Sequence, residues 1–233
     1  MKLQKIKKLE GTITVLTGLH IGAGNQEVRI GGTDQTVVKN PLTGEPYIPG
    51  SSIKGKVRSL LEMESGLLHH TGGKPFSLNM LNNGLNGDER ARCEQILKLF
   101  GASGDMEQSG ETPLGPSRAS FSDCSLTDEC RARIRDRMAT FTEIKAENSI
   151  DRIKGVAVSP RFIERIPAGM EFNFSVSLKV FEGDQGLEDL LLKGLKLMTL
   201  DALGGNGSRG YGRVSIEFTN QELNEKFQQM QEF

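Results

Sequence analysis

Near its C-terminal end the chain runs Leu203-Gly204-Gly205-Asn206-Gly207-Ser208-Arg209-Gly210-Tyr211-Gly212-Arg213-Val214, with five glycines within nine residues. That density of residues without a Cβ makes the stretch a loop, and its flanks show what it joins. Before it, Leu187, Leu190, Leu191, Gly194, Leu195, Met198 and Ala202 recur at helical spacing. After it, Val214-Ser215-Ile216-Glu217-Phe218 alternates as a strand. The loop therefore links a helix to a strand and exposes backbone N–H groups on which a phosphate oxygen can sit. Arg209 and Arg213 add charge that no proton loss removes. The stretch also partly fits the RNP1 pattern of RRM domains through Arg209-Gly210-Tyr211-Gly212 and Val214, but Arg213 and Ile216 stand where aromatics are expected.

At 233 residues the chain can bury a core without staples. Its three cysteines are scattered at 93, 124 and 130, and no apolar leader follows Met1, so reduced thiols and a cytoplasmic location are expected. No apolar run is long enough to span a membrane, and no membrane partner is expected. A formal net charge of −1 argues against indiscriminate coating of nucleic acid, so any such site must be local. A metal site drawn from His69, His70, Cys93, Cys124 and Cys130 matches no zinc spacing.

Residues 6–17 alternate as a first strand, which Gly18-Leu19-His20-Ile21-Gly22 leaves, so His20 is expected at a strand end rather than deep in a core. Asp34, after Gly31-Gly32-Thr33, reads by itself as a turn aspartate. Pro49-Gly50 leads to a helix expected to start at Ser51 or Ser52, either of which can cap it. Lys54 and Arg58 lie four residues apart on that helix, near its N-terminal end, where cations oppose the dipole unless an anion is present. A phosphate is the anion expected there.

Residues 66–90 are rich in Gly and Asn and read as an insertion with little packing; Asp88 is expected to cap a short helix ending before Gly101, and 102–119 to be a further loop. The insertions together cover about 66–118. Thr127 to Arg137 is a charged helical stretch. Residues 141–167 read as a long exposed hairpin turning at Lys154-Gly155 and carrying Arg152 and Arg161. Phe172 to Val180 alternates as a strand. Gly194 is expected to let the following helix approach the sheet, and Gln221 to Phe233 reads as a terminal helix. The order strand, helix, strand, strand, helix, strand over 1–233 suggests one α+β domain, ferredoxin-like (RRM-like), with an antiparallel sheet covered by helices on one face.

His20-Ile21-Gly22, Gly31-Gly32-Thr33-Asp34, Pro49-Gly50-Ser51-Ser52 with Lys54-Gly55 and Arg58, the hairpin, and Gly204 to Val214 together resemble the RAMP superfamily, specifically the backbone subunit of type III-A (Csm) CRISPR effector complexes. The resemblance implies that the chain binds guide RNA (crRNA) in repeated copies along a filament, beside other subunits of the complex. It also implies that the chain cuts paired target RNA once per copy, with Asp34 catalytic and a divalent cation, Mg²⁺ or Mn²⁺, as the only cofactor. RNA brings its own 2′-hydroxyl nucleophile, so alignment plus one carboxylate, as base or as metal holder, can suffice. His20, Gly22, Ser51, Ser52, Lys54, Arg58, Arg152, Arg161, Gly207, Ser208, Arg209 and Gly210 are the residues this implies for RNA contact, and the hairpin is the thumb that displaces a base. The alternatives are a RAMP endoribonuclease that processes precursor guide RNA, with a histidine as base, and a scaffold subunit without catalysis.

Overall fold

The computed structural model describes residues 1–24, 35–82, 84–102 and 114–230. Strands β1 (Leu3–Val15), β2 (Ala119–Phe121), β5 (Glu171–Phe181) and β6 (Val214–Phe218) form a four-stranded sheet in the order β2-β5-β1-β6. Every neighbouring pair is antiparallel. With α1 (Gly50–Glu64) between β1 and β2 and α4 (Leu187–Leu200) between β5 and β6, this is the ferredoxin-like arrangement. The remaining elements are α2 (Gly87–Phe100), α3 (Asp128–Asp136), β3 (Glu143–Ile150), β4 (Ala157–Arg165) and α5 (Gln221–Gln229).

Alternation decides which face meets the helices. Leu9, Ile13 and Val15 of β1, Phe172, Phe174, Val176 and Leu178 of β5, and Val214, Ile216 and Phe218 of β6 join Ile53, Val57 and Leu61 of α1 and Leu191, Leu195 and Met198 of α4 in one buried cluster. The opposite face presents Thr12, Thr14, Ser175, Ser177 and Ser215, with none of the aromatics an RRM stacks on bases. Gly194 does bring two elements close, but they are α4 and α1: a Cβ there would meet Val57 and Leu61, not the sheet.

Three local expectations are corrected. Helix α1 starts at Gly50 with Pro49 at its N-cap and no side-chain cap, so Ser51 and Ser52 lie inside the first turn. The Gly50 N–H is instead met by Asp123 Oδ1 at 2.8 Å, a carboxylate from another segment. Helix α2 is capped by Asn86, not Asp88, in a capping box with Glu89. Residues 66–82 are no loosely packed insertion, since Leu67, Phe76, Met80 and Leu81 are buried in the main cluster.

Strands β3 and β4 pair with each other as a two-stranded sheet, turning through Asp151, whose Oδ1 accepts the N–H groups of Ile153 and Lys154. At its root the hairpin is bridged to two segments of the domain, Leu19 to Ile166 and Gln35 to Ile163. These bridges fix where the hairpin leaves the body.

Candidate nucleic-acid interface

The exit of β1 and the glycine loop, far apart in the chain, pack directly on each other. The Gly205 N–H donates to the His20 carbonyl at 2.9 Å, and the Gly212 N–H to the Gly18 carbonyl at 3.1 Å. Gly204 and Gly212 hold φ of +77° and +73°, and a Cβ on either would collide with a backbone carbonyl oxygen, of His20 and Leu203 respectively. These two glycines are therefore required by both conformation and space. Asn206 and Gly210 are also left-handed and bracket a 3-10 turn over Gly207–Arg209.

His20 is 7% exposed, which corrects the expectation of an open strand end. Its Nδ1–H donates to the Glu164 carbonyl at 2.6 Å, so the hairpin root orients the ring and sets its tautomer. The other side of the ring lies toward Gly22 and Gly205, whose added Cβ atoms would stand 3.5 and 3.7 Å from Nε2 and Cδ2.

Glu164, which the sequence reading passed over, ties this region together. Its buried carboxylate accepts the Val37 N–H at 3.0 Å and the Thr142 hydroxyl at 2.7 Å, and pairs with Lys39. Burial pushes the carboxyl up, but the bonds from Lys39, Thr142 and Val37 outweigh it and hold Glu164 below the usual carboxylate range. Its backbone N–H donates to the Gln35 carbonyl at 2.9 Å. Asp34 lies outside the described residues, and Gln35 is the first described residue after it.

Across the loop, Tyr211 is 1% exposed and its hydroxyl donates to Glu147 Oε1 of β3 at 2.7 Å. Lys145 and Arg165 stand over its ring at 4.6 and 5.0 Å from the centroid. Arg209 donates from Nη1 to Glu147 Oε2 at 3.0 Å, yet its side chain is 54% exposed. In the β3–β4 register Arg161 sits opposite Glu147 and is exposed. The structure thus gathers His20, Gly22, Gly207, Ser208, Arg209, Gly210 and Arg161 around the hairpin root. Arg152 is exposed at the far tip.

Helix α1 is tied to the end of α4, just before the loop, through the Lys56–Asp201 pair at 2.6 Å. Its first turn carries no acidic residue, and Ser51 is exposed. Burial, then the nearby Arg58 charge, pulls the Lys54 ammonium below its usual value, a cost that an anion at this helix start would relieve. The Arg58 guanidinium is turned into the protein. Its Nε donates to Glu62 at 2.7 Å, Nη1 to the Gly101 carbonyl at 3.0 Å and Nη2 to the Phe76 carbonyl at 2.6 Å, and the side chain is 14% exposed. The expected phosphate contact is corrected to a structural one, because Arg58 is spent on anchoring the segments around Phe76 and Gly101.

Among the described residues no group of three or more His, Cys, Asp or Glu gathers as a metal cage would require, and no helix is long and apolar enough to cross a membrane. A family model described as the RAMP superfamily matches residues 12–215. The CRISPR system Cms endoribonuclease Csm3 of Methanothermobacter thermautotrophicus is 36% identical, over 97% of this chain and 89% of its own length. Its counterpart in Methanocaldococcus jannaschii is 39% identical, over 89% of this chain and 77% of its own. The Methanopyrus kandleri Csm3 crystal structure superposes with a TM-score of 0.59 at 25% identity, covering 94% of this chain and 76% of that one. A chain of the Csm3–Csm4 subcomplex of a type III-A CRISPR-Cas interference complex shares the fold, with a TM-score of 0.56 and 24% identity over the whole of both chains.

Proposed function

The chain belongs to the RAMP superfamily, and from that footing we propose that it is the repeated backbone subunit of a type III-A CRISPR effector complex, an endoribonuclease that binds crRNA and cuts complementary target RNA at regular intervals. One observation supports this reading above the others. The glycine loop, the His20 turn and the segment from Gln35 onward all converge on the root of an exposed hairpin. That geometry suits a subunit that grips one RNA strand at its body and reaches across the paired strand with its arm. Its further partners would be other copies of itself and the remaining subunits of the complex.

In this mechanism the backbone N–H groups of the loop, Arg209 and Lys54 hold guide phosphates without reading sequence. The hairpin displaces one base, so that the 2′-hydroxyl of the target nucleotide lines up with the adjacent 3′ phosphorus, opposite the 5′-oxygen of the next nucleotide, which leaves and takes up a proton as the 2′-oxygen bonds. Asp34 then serves as base or as holder of a divalent cation. Mg²⁺ is commonly held by one or two carboxylates together with substrate phosphates, so Asp34 and the RNA suffice as donors, and the cation would supply charge compensation at the phosphate. The precursor-processing alternative requires a histidine open to substrate, and the one histidine at the hairpin root, His20, is buried with Nδ1 committed to the Glu164 carbonyl.

The test is Asp34→Ala in the assembled complex with Mg²⁺ and complementary RNA. Cutting should vanish while crRNA content and target binding persist. Continued cutting would leave only a scaffold role.

A further inference from the structure

We propose that Glu147 is a positioning residue for the RNA-facing glycine loop, its carboxylate fixing the direction of the Arg209 guanidinium while holding the Tyr211 arm of the loop against β3. The proposal rests on the reading of that loop as a guide-RNA contact, and deepens it by naming a residue on a different element that prepares the contact.

The geometry is specific. The β3–β4 register sets Glu147 opposite Arg161, a cross-strand cation that would make an ordinary pair. The carboxylate turns instead to the glycine loop, taking the Tyr211 hydroxyl on Oε1 at 2.7 Å and Arg209 Nη1 on Oε2 at 3.0 Å. Lys145 approaches Oε1 at 3.4 Å. On the adjoining strand, Arg165 is held by Glu143 at 2.6 Å and completes the pair of cations over the Tyr211 ring. The Tyr211 bond would by itself serve a purely structural clasp. The second carboxylate oxygen goes to an arginine that is more than half exposed.

Both side-chain bonds that Arg209 makes among the described residues, to Glu147 and to Asn206 Oδ1 at 3.4 Å, use Nη1. A guanidinium carries five N–H donors on three nitrogens in a rigid fork, so a phosphate can be met by another edge while Nη1 stays on Glu147. An arginine already oriented loses less rotamer freedom on meeting that phosphate. Because the orienting carboxylate sits on the hairpin, the direction of the loop cation is tied to the placement of the arm.

The experiment uses the full-length chain and a fluorescein-labelled single-stranded RNA too short to hold two copies, with affinity read by anisotropy across a salt series. Wild type, Glu147→Gln, Arg209→Ala and the double variant form a cycle. Glu147→Gln should weaken binding about fivefold, as expected when a charge-assisted hydrogen bond that orients a contact is lost. Arg209→Ala should weaken it at least as much and lower the salt slope by about one. The double variant should be no weaker than Arg209→Ala alone, since Glu147 acts through that arginine. Should Glu147→Gln melt below the assay temperature, Glu147→Asp, one methylene shorter, takes its place in the cycle.

Affinity for Glu147→Gln equal to or tighter than wild type would overturn the proposal, showing a carboxylate that merely competes with phosphate. Losses that multiply in the double variant would also overturn it, showing a general structural role. Wild-type affinity and slope in Arg209→Ala would instead overturn the reading of the loop, and the proposal with it.

Discussion

The four-stranded sheet and the β3–β4 hairpin are built from the same alternating pattern, and they dispose of it in opposite ways. In β5 every second side chain, from Phe172 to Leu178, enters the core beneath α1 and α4. In the hairpin, Ile144, Ile150, Val156 and Val158 are exposed, and Ile153 at the turn is 98% exposed. A two-stranded ribbon cannot bury its own faces, so apolar residues spent on it gain nothing until a partner covers them. The sheet holds the fold, whereas the hairpin keeps its apolar surface for an encounter.

The strongest way to sharpen this contrast is to remove one side chain from each region and two from helix α1. Phe172→Ala should cost about 3–5 kcal/mol, because it empties a fully buried aromatic site, and thermal melting should show it with RNA absent. Arg58→Ala should cost about 3 kcal/mol, since it strands the buried Glu62 carboxylate without its charge partner. In the same helix Lys54→Ala should leave the melting temperature nearly unchanged but lower the slope of RNA affinity against salt by about one. Equal melting losses for the two variants would break the distinction between a cation that builds the fold and one that serves RNA. Ile153→Ser should alter stability by less than about 0.5 kcal/mol. The same variant should slow target cutting by the assembled complex about tenfold, the equivalent of one lost aliphatic contact. If it destabilises the isolated chain instead, the hairpin belongs to the core after all.

Much of the architecture is legible locally. The alternation in β1, β5 and β6 and the leucine stripe of α4 each announce their element and buried face, and the glycine loop announces a connector under steric constraint. What stayed hidden depends on partners far away in sequence. Arg58 reads as a phosphate ligand until Phe76 and Gly101 fold onto it, and Phe76 lies in a stretch whose glycines and asparagines suggest loose packing, while Gly101 reads only as a helix stop. Ser51 and Ser52 look like caps, but the cap is a carboxylate 73 residues downstream. Glu147 and Glu164 carry no motif, because each matters through what hydrogen bonds bring to it across the hairpin root. His20 was legible as part of a turn, but its burial came from the loop that closes over it.

One carboxylate acting once in every copy of the chain along a guide is tested most directly by fragment lengths. Complexes assembled on guides of increasing length should be given labelled complementary RNA, and the cut positions mapped. Cuts at a constant interval, their number rising with each copy that a longer guide accommodates, are the predicted result. A single cut, or positions that ignore the number of copies, would contradict it.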